Sequence, residues 1–73
     1  MPLPRMQPVD SSAIARIGYD AEAEEVHVEF HDSDVYVYGG VPPEVFGEFA
    51  AAESKGTFLN TAVKPRFPFR KIG

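Results

Sequence analysis

The sequence predicts an α+β domain: a three-stranded antiparallel meander covered by one helix (β-β-β-α), with a partly irregular C-terminal segment packed on the core. Three observations carry that reading. Residues 25–31 alternate strictly between apolar and polar side chains, which marks a half-buried strand with one wet face. The connections on either side are short, whereas parallel neighbours need a crossover of roughly a dozen residues or more. A proline-led, apolar-periodic stretch begins at residue 43, and a thin sheet needs such a cover for its apolar face.

Residues 1–8 are broken by three prolines and read as an extended, flexible arm with polyproline tendencies. The first strand is expected over Ser11–Tyr19. Ile14 and Ile17 have opposite parity there, and Gly18 suits a bulge or a close backbone approach. Asp20–Ala23 is expected to turn, with a helical turn as the competing outcome because alanine and glutamate are helix formers. In the second strand Val26, Val28 and Phe30 share one face, and Glu25, His27, Glu29 and His31 share the other. Asp32-Ser33-Asp34 supplies turn chemistry through short polar side chains. The third strand, Val35–Tyr38, is apolar on both faces, so its period leaves the buried face open.

The helix is expected from about Pro43 to Ser54. Proline suits the first turn, where its missing N–H costs nothing, and Glu44 complements the helix dipole. Phe46, Phe49 and Ala50 are the expected core residues. Gly47 would allow a close approach to the sheet, and Gly56 is placed to stop the helix in a left-handed cap. Phe58, Leu59 and Val63 are too apolar to hang free and are expected to pack on the core. The prolines of Lys64–Lys71 forbid a regular helix, so that stretch is expected to be irregular or edge-like. The implied organisation is an arm at 1–8, a domain at 9–68 and a basic tail at 69–73.

The chain has 73 residues and no cysteine. It therefore forms one domain without disulfides or thiolate metal sites, a composition that fits a reducing cytoplasm. No apolar run reaches the ~20 residues of a bilayer span, and the N-terminus lacks a signal-peptide core. Neither membrane insertion nor secretion is expected. The net charge of −4 argues against bulk nonspecific binding to nucleic acid, but it hides an asymmetry. Residues 1–54 hold all eleven acids against Arg5 and Arg16, a balance of −9, whereas residues 55–73 hold five cations and no acid, a balance of +5. Such a tail either touches a polyanion locally or folds back on the acidic body.

No catalytic constellation emerges, and no cofactor or metal is implied. His27 and His31 lie about 13 Å apart along an extended strand, too far for one ion. Ser11-Ser12 lacks the surroundings of a nucleophile elbow. Gly39-Gly40 reads as a turn rather than a phosphate loop.

Two features remain. Tyr36 and Tyr38 project from one sheet face, where paired aromatics either stack single-stranded bases or join the core. In Lys64-Pro65-Arg66-Phe67-Pro68-Phe69-Arg70-Lys71, cations and aromatics interleave, a composition that suits phosphate contacts plus stacking and equally a solvated tail.

The ordered series Val9–Ile14, Ile17–Asp20, Val26–Phe30, Tyr36-Val37-Tyr38, Val41-Pro42, Val45, Phe46, Ser54, Gly56, Phe58 and Asn60 resembles the KTSC domain family. That resemblance implies a small bacterial or phage-type domain, also found at the C-terminus of some lysyl-tRNA synthetases. RNA binding is the usual suggestion for this family. Carried over, it would implicate Tyr36 and Tyr38. Lys64, Arg66, Arg70 and Lys71 are added from the tail's composition. Leu59 stands where the family often has an aromatic, and Phe67-Pro68 where tyrosine-proline is common. The resulting expectation is a noncatalytic module that binds RNA or single-stranded nucleic acid. The alternative is a protein-interaction or self-association module that uses an open sheet edge.

Overall fold

A computed structural model describes residues 5–73. One antiparallel sheet holds five strands in sequence order: β1 (Gln7–Pro8), β2 (Ile14–Asp20), β3 (Glu25–Phe30), β4 (Val35–Tyr38) and β5 (Phe69–Lys71). Helices α1 (Pro43–Ala51) and α2 (Lys55–Phe58) follow β4, and α2 runs straight into a π-helical segment, Leu59–Val63. The α+β class stands, but the three expected strands are the middle of a five-stranded sheet.

The two additional strands come from segments without alternation, and the second forms at the end of Lys64–Lys71, the stretch expected to be irregular or edge-like. Residues 1–4 of the expected arm lie outside the described residues. Gln7 and Pro8, expected in that arm, instead pair with Ile17 and Arg16. The start of the expected tail, Phe69–Lys71, pairs with Tyr38, Val37 and Tyr36. Both are edge strands of two or three residues, too short for alternation to show.

The opposite parity of Ile14 and Ile17 has a local cause. Ile14 pairs with Phe30 and Arg16 with Glu29, so Ala15 is an extra residue on β2. This bulge turns both isoleucines to one face, where they are buried. Gly18 plays the other role expected of it. A Cβ at that position would lie 2.7 Å from Met6 Sδ and 2.9 Å from the Arg5 carbonyl oxygen, so the chain before β1 crosses here at a distance only glycine permits. Residues 21–24 form a turn rather than a helix, with Asp20 Oδ1 accepting from the Glu22 and Ala23 amides.

The core lies between the sheet and the helices. It is built from Ile14, Ile17, Val26, Val28, Tyr38, Val41, Phe49, Leu59 and Val63. Phe49 is fully buried. It stacks on Phe58 at 5.6 Å and meets Phe46 edge-on, and Phe46 stacks on Tyr19 at 4.9 Å. Four expectations for the helix are corrected. Ala50 is exposed, and Gly47 faces open space rather than the sheet. The helix also ends at Ala51, because Ala52 turns extended and Ser54 then starts α2 by accepting the Thr57 amide on its hydroxyl. Gly56 therefore sits in the first turn of α2 instead of capping α1.

Candidate functional site

The β3–β4 register settles which face of β4 is buried. Val26 pairs with Tyr38 and Val28 with Tyr36, so both tyrosines share the helix-covered face with the core valines. Tyr38 is 1% exposed. Burial, with Tyr36 adding to it, pushes its phenol pKa up. No base can stack on Tyr38 without opening the core, so of the two roles left open for it Tyr38 takes the core one. Tyr36 is half-buried. It lies edge-on between Phe30 at 5.6 Å and Phe69 at 5.7 Å. Phe69 also lies 5.6 Å from Tyr38. An aromatic ladder thus crosses β3, β4 and β5 and ends at Phe69, which is 55% exposed.

The four tail cations are not one free cluster. Arg70 donates to Glu25 Oε2 at 3.1 Å, and Lys71 lies 3.4 Å from Asp34 Oδ1. Half of the expected basic patch therefore folds back on the acidic body. Lys64 and Arg66 are exposed, and the Arg66 guanidinium sits 5.3 Å from the centre of the Phe67 ring. The structure thus puts Tyr38 under the sheet's cover, while Lys71 lies across from half-buried Tyr36 on the edge strand.

The outer edge of β5 has its own geometry. Gly39 donates its N–H to the Pro68 carbonyl at 2.9 Å, and Ile72 donates to the Val35 carbonyl at 2.8 Å. Alternation along a strand then turns the amides of Phe69 and Lys71 away from β4. Every residue of β5 is exposed, and so is Ile72, at 45%. Beside this edge Val37, Gly39, Pro68, Phe69 and Arg70 line a shallow hollow of about 160 Å³.

On the face away from the helices, His27 is 5% exposed, and its Nε2 has no hydrogen-bond partner among the described residues. Burial holds its pKa below the ordinary histidine value. Glu25 and Asp20 pull the other way, and Arg70 adds to the lowering. His31 stands apart, with Nε2 bonded to the Ser11 carbonyl at 2.8 Å. Among the described residues no cluster of three or more His, Asp or Glu could hold a metal ion. No helix among them is long and apolar enough to cross a membrane.

Sequence reasoning missed a convergence. Asp10, Ser11 and Ser12 meet Ser54, Gly56 and Asn60 around a polar cleft of about 390 Å³. All six are residues of the KTSC resemblance, drawn from opposite ends of the chain, and only the folded path brings them together. Two of the hydroxyls are already engaged. Ser11 Oγ accepts from the Ala13 and Ile14 amides, while Ser54 Oγ accepts from the Thr57 amide and donates to Thr57 Oγ1. These bonds join the loop between β1 and β2 to its strand and cap α2.

Comparison with known proteins agrees with the resemblance. The family model for the KTSC domain matches residues 10–67. A protein of Tsukamurella paurometabola is 52% identical over 62 residues, covering 85% of this chain and 92% of its own. A lysine–tRNA ligase of Nostoc punctiforme is 32% identical over 69 residues, which are 94% of this chain and 12% of the ligase. The crystal structure of a KTSC domain protein from Yersinia pestis superposes with a TM-score of 0.91 at 39% identity, over 97% of this chain and all of the other. The chain belongs to the KTSC domain family.

Proposed function

We propose that this chain is a noncatalytic protein-interaction module that takes an extended partner segment as a sixth strand beside β5. The observation that carries the reading is the open β5 edge, where two outward-facing amides lie beside exposed Phe69 and Ile72. In strand addition, main-chain hydrogen bonds supply affinity, and pockets for alternate side chains supply specificity. The hollow beside Val37 and Phe69 provides one such pocket. The likeness to a 12% portion of a lysine–tRNA ligase supports an accessory rather than a self-sufficient role. A cysteine-free chain suits a reducing cytoplasm as its place of work. Nucleic-acid binding keeps Lys64 and Arg66 as phosphate contacts but loses its stacking platform with Tyr38 buried, so it is the weaker reading.

Fluorescence anisotropy with labelled strand-forming octapeptides tests the proposal. Lys71→Pro removes one outward amide, a change an edge strand tolerates, whereas Lys71→Gln keeps it. Binding is expected to fall roughly tenfold or more in Lys71→Pro, consistent with the loss of a main-chain hydrogen bond and the stranding of its partner. Circular dichroism should show the fold intact. Equal binding by wild type and Lys71→Pro, or no binding by any peptide, contradicts the reading.

A further inference from the structure

We infer that the segment added at β5 is acidic, alternating carboxylates with apolar residues; this rests on the strand-addition reading above. The argument starts from charge. Four cations, Lys64, Arg66, Arg70 and Lys71, fall within eight residues that contain no acid. They meet two acids of the body, Glu25 and Asp34, so the rim keeps an excess of positive charge although the chain is acidic. The Arg70 and Lys71 side chains are still 59% and 54% exposed within those pairs, so both cations stay open to solvent on the edge strand. Potentials across an interface are complementary, and such charge sets partner choice and on-rate more than raw affinity.

The same geometry disfavours a second copy as the occupant. Antiparallel pairing of two β5 strands through the outward amides of Phe69 and Lys71 centres on Arg70. It sets Arg70 opposite Arg70, and like charges directly opposite destabilise a sheet. An acidic strand meets the same positions with attraction. With its carboxylates on the Arg70 face, its apolar residues lie on the other and continue the aromatic ladder from Phe69.

The probes are octapeptides alternating valine with aspartate, with serine or with lysine, titrated into the whole chain. The aspartate peptide is expected to bind roughly tenfold tighter than the lysine peptide at about 50 mM salt. That gap should shrink at about 500 mM, where screening shortens the reach of exposed charges. In Arg70→Gln the aspartate peptide is expected to lose part of this preference and keep the serine-peptide level. Equal affinity for all three peptides overturns the acidic assignment and leaves the edge reading standing. No binding by any of them removes the edge reading itself. Displacement of the aspartate peptide by a tighter-binding oligouridylate of about 12 nucleotides assigns the rim to nucleic acid and overturns the proposal. So does concentration-dependent self-association that Lys71→Pro abolishes.

Discussion

At one edge of the sheet β1 presents two residues, one of them proline, with the preceding chain lying over Gly18. At the other edge β5 presents three residues with no proline among them, exposed Phe69 included, and exposed Ile72 follows. Natural sheets blunt their edges with proline, short strands and charge, because unpaired amides invite another chain. The first edge uses proline and shortness. The second relies on charge, with Arg70 and Lys71, and charge selects partners instead of refusing all of them. The difference teaches that the unprotected end of this small sheet is where a binding role can be placed at little cost to stability.

The comparison requires β5 to be dispensable for the core. Phe49→Ala, beneath the helix, is expected to cost about 3–5 kcal/mol, against about 1 kcal/mol or less for Phe69→Ala, whose ring is mostly in water. Urea denaturation of both variants measures the contrast. Comparable costs would make Phe69 a core residue and break the distinction between the edges.

The protected edge can be tested from its other side. Gly18→Ala places a methyl within 3 Å of backbone at Arg5. It is expected to cost about 1–3 kcal/mol by overpacking and to speed hydrogen exchange at the Val9 amide, which bonds the Ala15 carbonyl. Unchanged stability and exchange would mean that the chain before β1 is not held there.

The smallest expected effect lies on the face between the edges. Burial lowers the pKa of His27 in the folded chain, so the unfolded chain takes up this proton first as pH falls. Full stability from this group is present above its unfolded value of about 6.5. It is lost progressively as pH falls toward and through the lowered folded value. His27→Gln is expected to flatten that part of the stability profile. An unchanged slope would assign it to other groups.

The middle of the fold was legible because its signals are local. Alternation placed Val26, Val28 and Phe30 on one face, and Pro43 announced the start of α1. Three features were illegible for physical reasons. Gln7–Pro8 and Phe69–Lys71 are too short to show a period, and their pairing is a tertiary choice. The buried face of β4 depends on register with β3, because Val35–Tyr38 is apolar on both sides. The partners of Arg70 and Lys71 lie 45 and 37 positions earlier in the chain, beyond any local pattern. The candidate site inherited those gaps: Tyr38 lies in the core while Tyr36 is half-buried, and the edge formed at the end of a stretch read as irregular or edge-like.

The most direct test is an amide-resolved NMR titration of the chain with the valine–aspartate octapeptide. The account predicts shifts and slowed exchange centred on the Phe69 and Lys71 amides, with Asp10–Ala13 and Lys55–Asn60 undisturbed. Saturable changes centred on the polar cleft, with the β5 amides unmoved, would contradict it.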